Sequence, residues 1–201
     1  HAADAGEIRI GGRPLAELGR PPIAFIHQDL GLVGSMTVAE NIALVAGYPR
    51  PRGLIAWRRA REAAERILAS IGSAVDPEER VAALASADQS LVAIARALAV
   101  AADVIILDEP TAALPEADVR RLFAVLRRLR DRGLGIVFVT HRLDEVFRLA
   151  DRVTVIRDGR NVWTGPVAAT TPAELVYAIV GRRLAELFGS VAAPGEAPLL
   201  E

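Results

Sequence analysis

The sequence predicts an α/β fold: a mainly parallel core sheet with helices on both faces, and a helical lobe inserted between its strands. Three observations carry this. Short apolar runs at Ile23–His27, Val104–Leu107 and Ile136–Thr140 run straight into polar residues, as strands of a parallel sheet do at their carboxyl ends. Amphipathic helical patterns follow the second and third runs, which is the alternation of a parallel sheet. Between the first and second runs, from Asp29 to about Leu98, the pattern is helical over a length no single crossover needs.

In chain order, Glu7–Ile10 reads as a short strand closed by the Gly11-Gly12 turn, and Ile23–His27 as a second strand ending at Gln28. Ala39–Ala46 is one helix. Trp57–Ile71 is a longer one, with Ala60, Ala64, Ile67, Leu68 and Ile71 on one face and Gly72 as its stop. Ser90–Ala102 is the next. Val104–Leu107 is a continuous apolar run, which predicts a strand buried on both faces. Pro115 then opens a helix as its first residue, where a missing N–H costs nothing. Val119, Leu122, Leu126 and Leu129 form the stripe of that helix, and Gly133 ends it. Ile136–Thr140 is a strand, followed by a helix around Leu143–Ala150. Arg152–Arg157 and Asn161–Thr164 flank Asp158-Gly159, a hairpin signal. Pro172–Phe188 reads as helical, and the tail from Val191 as loose. No internal repeat is visible.

Composition narrows the function classes. The 201 residues suffice for one α/β domain with a core, and 52% are apolar. The 24 basic residues, all arginine, balance 25 acidic ones, so there is no nucleic-acid footprint. The absence of cysteine excludes thiol catalysis, disulfides and Cys-ligated zinc. No signal-peptide pattern opens the sequence. Its longest apolar stretch, Leu91–Leu107, is interrupted by Arg96 and Asp103, so a membrane role would come through a partner.

The strongest chemical signal is Val104-Ile105-Ile106-Leu107-Asp108-Glu109-Pro110-Thr111. It sets two adjacent carboxylates at the carboxyl end of a strand, where open α/β sheets bind ligands. One acid can hold a cation while the other, pointing elsewhere, polarises a water. Alone, the pair also fits two solvated acids at a strand end. His141 follows the strand Ile136–Thr140 and could hydrogen-bond a phosphate, or be structural. Gln28 follows the strand Ile23–His27 and by itself is no more than a loop residue.

Taken together and in this order, Gln28, Asp108-Glu109 and His141 resemble the Q-loop, Walker B motif and H-loop of the ABC ATPases. Leu84-Ala85-Ser86-Ala87-Asp88-Gln89-Ser90-Leu91-Val92-Ala93-Ile94-Ala95-Arg96-Ala97-Leu98 is similar to the family's signature segment and its helix. Thr111-Ala112-Ala113-Leu114 resembles the D-loop. The segments Phe25-Ile26-His27-Gln28-Asp29, Met36-Thr37-Val38-Ala39-Glu40-Asn41-Ile42 and His141-Arg142-Leu143-Asp144-Glu145-Val146-Phe147 look like the ATPases of ribose/xylose/galactose-type importers, which carry two cassettes in one chain. Glu174–Arg182 resembles the end of the first cassette.

The resemblance implies a P-loop NTPase (RecA-like) core in a single cassette over residues 1–190. A helical subdomain would occupy about 30–100, and 191–201 would be a linker. It implies ATP and Mg2+ as cofactors. Asp108 and Gln28 would serve at the metal, Glu109 would orient the attacking water, and His141 would sense the γ-phosphate. Gln28 would also couple the site to a transmembrane permease through the helical lobe. Ala85, Ser86, Ala87 and Asp88 would face the nucleotide of a second cassette, in the same chain or a homodimer. The implied setting is the cytoplasmic face of the inner membrane, peripheral, with an extracytoplasmic sugar-binding protein as indirect partner and no nucleic acid. A soluble DNA-repair ATPase of the family is set aside, because the roughly fifty-five residues between Gln28 and Leu84 leave no room for its coiled coil.

Three departures stand out. The phosphate loop G-x-x-x-x-G-K-[ST] is absent, and with no lysine it cannot be present in a drifted form. Ala5–Gly12 resembles the segment just downstream of that loop, so the expectation is that the sequence opens after it, and that this chain alone is inactive. The alternative is a non-hydrolysing interaction module. The signature is degenerate too: Ala85-Ser86-Ala87-Asp88 stands where the family has Ser-Gly-Gly-Gln. Ala85 lacks the serine hydroxyl, and the methyl of Ala87 is expected to crowd the phosphate. Pro115 replaces the acid that usually ends the D-loop.

Overall fold

The computed structural model describes residues 5–19 and 21–181. They fall into two compact units, His1–Val139 and Thr140–Glu201.

The first unit opens with a hairpin of β1 (Arg9–Ile10) and β2 (Arg13–Pro14), turned by Gly11-Gly12 at positive φ. The pairing partner β2, only two residues long, has no signature in the sequence. The core sheet is parallel, in the order β3 (Ile23–Ile26), β4 (Val104–Asp108), β5 (Gly135–Val139). Its register pairs Ile26 with Leu107 and Asp108 with Val139, so all three strands deliver their carboxyl ends to one edge. Register partners in parallel strands share a face. Ile26, Ile105 and Leu107 lie on one face and are buried, and beside them Phe138 meets Phe123 edge-on at 5.8 Å. On the other face Phe25, Val137 and Val139 are exposed. The α/β parallel class holds. The expected burial of Val104–Leu107 on both faces is met by Ile105 and Leu107 only, because Val104 and Ile106 share the face of the exposed Phe25 and Val137.

The helical lobe packs α1 (Val38–Ala46), α2 (Trp57–Ser70) and α3 (Ser86–Ala99) on one another. Its core is Val38, Ile42, Ala64, Leu68, Ile71, Leu91 and Ile94. α1 starts where Thr37 and Glu40 form a capping box, each side chain accepting from the other's backbone N–H. Asn41 is fully buried. Its amide oxygen accepts from Val33 N–H at 2.8 Å, and its Nδ2 donates to the carbonyls of Val33 and Thr37, each at 3.0 Å. It thereby fastens the segment after Gln28 to the lobe. α3 also reaches β3 and α4, and Arg96 donates to the Gly31 carbonyl.

α4 (Glu116–Asp131) packs against β5, with Val119, Leu122, Leu126 and Leu129 buried as predicted, joined by Phe123 and Val125. Pro115 is the residue before the helix, not its first. At φ −60°, ψ 153° it is extended, and its carbonyl accepts from Asp118 and Val119.

In the second unit, α5 (Leu143–Leu149) precedes the antiparallel pair β6 (Arg152–Arg157) and β7 (Arg160–Pro166). Asp158 and Gly159 turn the pair, both at positive φ. α6 (Pro172–Val180) begins with a Thr171/Glu174 capping box and stops at Gly181, which is left-handed at φ 80°, ψ 6°. The helix predicted to reach Phe188 therefore ends eight residues earlier at Val180, and Arg182–Phe188 and the tail lie outside the described residues.

Candidate functional site

The site is built on the carboxyl edge of the parallel sheet. Burial of Ile105 and Leu107 anchors β4, so the next residues emerge at the edge: Asp108 is exposed and Glu109 half-buried. Glu109 leaves the strand at φ +45°, a left-handed conformation that is uncommon for a side chain longer than Asn or Asp. Its N–H donates to the Val139 carbonyl at 3.0 Å, tying it to the end of β5. Ala112 N–H donates back to the Glu109 carbonyl at 3.2 Å, and Leu114 N–H to that of Thr111 at 3.0 Å. With Pro110 and Thr111 buried, the segment after the acids is a fixed turn.

β3 ends at Ile26, one residue earlier than predicted, and the His27 ring stacks on Phe25 at 5.9 Å. Gln28 stands exposed in the turn that follows, closed by Leu30 N–H to the His27 carbonyl at 2.9 Å. Since Ile26 pairs with Leu107, Gln28 and Asp108 leave neighbouring strands at the same edge. Gln28, Asp108 and Glu109, all expected site residues, thus emerge at one edge of the sheet.

Ala85–Asp88 lies elsewhere. The helix predicted from Ser90 to Ala102 runs from Ser86 to Ala99, so this segment is its first turn. Ala85 occupies the capping position and offers no side-chain hydrogen bond. Asp88, in that turn, suits the positive end of the helix and lies 2.8 Å from Arg121 Nη1 of α4. That ion pair lacks hydrogen-bond geometry, so Asp88 Oδ1 has no hydrogen bond. Gln89 donates to the carbonyls of Val81 and Leu84. Ala85 and Ser86 are exposed, whereas Ala87 is buried, so the methyl expected to crowd a phosphate faces the protein interior. Arg96, which touches Gly31 beside the Gln28 turn, is eleven residues further along. The signature segment thus begins about 16 Å along the helix axis from the arginine whose side chain reaches that turn. It forms a separate surface.

His141 is exposed and belongs to the second unit, two residues after the end of β5. There Thr140 Oγ1 donates to Glu145 Oε2 at 2.7 Å and accepts from Arg142 N–H at 3.0 Å. Glu145 is fully buried. Neither it nor Arg121 is conspicuous in the sequence; the available signals were an acid four residues after His141 and an arginine on the polar side of α4.

No group of three or more His, Cys, Asp or Glu side chains gathers among the described residues. Mg2+ does not require one. It takes one or two protein oxygens and completes its shell with water and phosphate oxygens. The carboxylate of Asp108 and the amide oxygen of Gln28, exposed at one edge, are donors of that kind. No described helix is long and apolar enough to cross a membrane.

The family model described as "ABC transporter" matches residues 1–112. The ribose import ATP-binding protein RbsA 2 of Rubrobacter xylanophilus is 46% identical over 194 residues, which is 94% of this chain and 37% of that protein. RbsA 2 of Streptomyces coelicolor is likewise 46% identical over 194 residues, with the same coverage. A dimeric post-hydrolysis structure of the ATP-binding cassette MJ0796 bound to ADP and Pi matches with TM-score 0.66 and 25% identity, over 82% of this chain and 74% of that one. The chain thus spans little more than a third of the length of these curated relatives.

Proposed function

Because this chain belongs to the ABC transporter ATPase family, we propose that it is most of one ATP-hydrolysing cassette that powers import of a ribose-type sugar. The observation that carries the reading is the Asp108-Glu109 pair at the carboxyl edge, with Glu109 locked to Val139 and Gln28 in the turn just past the neighbouring strand. Relatives 46% identical over nearly all of this chain are ribose import ATP-binding proteins.

In this reading residues 1–190 form one cassette, residues of about 30–100 its helical subdomain, and 191–201 a linker to a second cassette. Asp108 and Gln28 hold Mg2+, which when bound neutralises charge on the phosphates. Glu109 accepts a hydrogen bond from the attacking water and orients it. His141 donates to the terminal phosphate. Phosphoryl transfer asks little of the protein beyond such positioning and charge stabilisation. The lobe, fastened to the Gln28 segment through Asn41, transmits the state of the site to a transmembrane permease. The cassette is peripheral on the cytoplasmic face of the inner membrane, served by an extracytoplasmic sugar-binding protein. These 201 residues contain no lysine and no phosphate loop, so by themselves they bind ATP weakly and do not turn it over.

The two surfaces of the cassette serve different nucleotides. Asp108, Glu109 and His141 act on the ATP completed by the partner's signature. Ala85–Asp88 faces the ATP held by the partner, and the missing hydroxyl at Ala85 weakens that second site.

The test is Glu109→Gln in the complete protein. It removes most hydrolysis and keeps ATP binding, because the carboxylate acts in the transition state. A rate within about threefold of wild type refutes the role.

A further inference from the structure

Glu145 is the one fully buried acid among the described residues, and none of the roles above uses it. Its Oε2 accepts from Thr140 Oγ1 at 2.7 Å. Its Oε1 receives no hydrogen bond, although Arg142 Nε stands 3.3 Å away as an ion pair outside hydrogen-bond geometry. Thr140 Oγ1 in turn accepts from Arg142 N–H at 3.0 Å, and Glu145 N–H donates to the Arg142 carbonyl at 3.2 Å. Every one of these contacts joins the residue just before His141 or the residue just after it. A buried acid is costly to keep unless its partners repay it, and here the partners are the two neighbours of one exposed imidazole.

We propose that Glu145 is a positioning residue for His141: from inside the second unit it clamps Thr140 and Arg142 and so sets where the imidazole can reach. The inference rests on the reading that His141 acts on the terminal phosphate. With the clamp in place, the backbone on both sides of His141 has one arrangement, and the ring approaches its target without searching. Without it the Thr140 hydroxyl keeps only its bond from Arg142 N–H and the His141 backbone gains freedom, and misplacement of a reacting group by about 1 Å is enough to cost a hundredfold in rate. Gln in place of Glu145 keeps an oxygen that accepts from Thr140 but loses the charge facing Arg142.

The test uses the complete protein and steady-state ATP hydrolysis. Glu145→Ala is expected to lower kcat by about ten- to a hundredfold with KM for ATP within about twofold, and Glu145→Gln to recover a good part of it. His141→Ala alone sets the floor. Adding Glu145→Ala to it should cost nothing further, because both changes remove one function. Should Glu145→Ala fail to fold, Thr140→Val decides, with Thr140→Ser as rescue. A full multiplicative loss in the double variant overturns the clamp, as does an unchanged kcat in Glu145→Ala or in Thr140→Val while His141→Ala is impaired. If His141→Ala itself keeps the wild-type rate, the role of His141 fails first and takes the clamp with it.

Discussion

The amide N–H of Glu109 donates to the carbonyl of Val139 at 3.0 Å, holding the residue after β4 in a left-handed conformation at φ +45°. A non-glycine residue there stores about 1–3 kcal/mol, which persists only where surrounding structure fixes it. Fixing comes from β5 on one side and the buried Pro110-Thr111 on the other. Glu109→Gly and Glu109→Ala both delete the carboxylate, but only glycine accepts this φ without strain. Urea unfolding should therefore find Glu109→Gly more stable than Glu109→Ala by about 1 kcal/mol. Equal stabilities, or the reverse order, would show that the backbone at Glu109 is unstrained.

Phe123 is fully buried in α4 and meets Phe138 of β5 edge-on, with ring planes at 83°. It seals the covered face of the sheet that carries the two acids. Phe123→Ala leaves a cavity and should destabilise the cassette by about 3–5 kcal/mol. Phe123→Leu, which refills most of the volume, should cost roughly half as much. A loss below about 1 kcal/mol for alanine would mean that α4 is not packed as described.

The edge residues were legible in the sequence because each closes an apolar run, and a run buried at alternate positions leaves its next residue at the strand end. That places Gln28, Asp108 and Glu109 at the ends of their runs, and the resemblance of the ordered set supplied the roles expected of them. What was not legible depends on contacts distant in sequence. The start of α3 at Ser86 instead of Ser90 goes with Asp88 pairing with Arg121, thirty-three positions on, and no local pattern displays that. Glu145 looks like any acid near the start of a helix until the fold buries it. Pro115 fits the residue before a helix as well as its first, since either leaves no N–H unpaired, and the extended ψ of 153° decides between them. The exposed face of Phe25 and Val137 is hidden for a related reason: an apolar run reads the same whether one or both faces are covered.

The isolated 201-residue chain should bind ATP far more weakly than micromolar and show no turnover. Backbone N–H groups and the lysine of a phosphate loop supply much of the phosphate grip in this fold, and this sequence has neither loop nor lysine. Calorimetric titration with Mg-ATP is the measurement. A micromolar Kd would show that the described edge grips phosphate by other groups.

Glu174 accepts from the backbone N–H of Thr171 at 2.8 Å and from its hydroxyl at 2.9 Å, and these bonds hold its carboxyl below the ordinary value of 4.5. A folded-state value below the unfolded one contributes stability above the ordinary value, lost as pH falls through the folded one. Glu174→Gln imitates the protonated acid at every pH. The Tm gap between wild type and this variant should be present at about pH 7 and close as the pH falls below about 4. A gap of constant size across that range would assign the effect to packing of α6 instead of charge.

Asymmetry between the two nucleotide sites is the most demanding expectation. Ala85 caps α3 without a hydroxyl, and the adjoining Asp88 is engaged by Arg121, so this surface offers a partner-held phosphate less than a serine-glycine turn would. Loss of one such donor costs about a hundredfold to a thousandfold in rate, or roughly 3–4 kcal/mol. The acids Asp108 and Glu109 are untouched by this, because they lie at the sheet edge and the signature surface at the far end of α3. In a two-cassette protein, hydrolysis should therefore run mainly at the site containing Glu109, while the other holds nucleotide or turns over slowly. Glu109→Gln should nearly abolish turnover, whereas the matching change in the partner cassette should leave much of it. Restoring the hydroxyl with Ala85→Ser should raise the residual rate of Glu109→Gln, since only the weakened site gains a donor. Equal losses from the two acid changes, with no gain from Ala85→Ser, would mean that the degenerate segment is tolerated variation and the sites work alike.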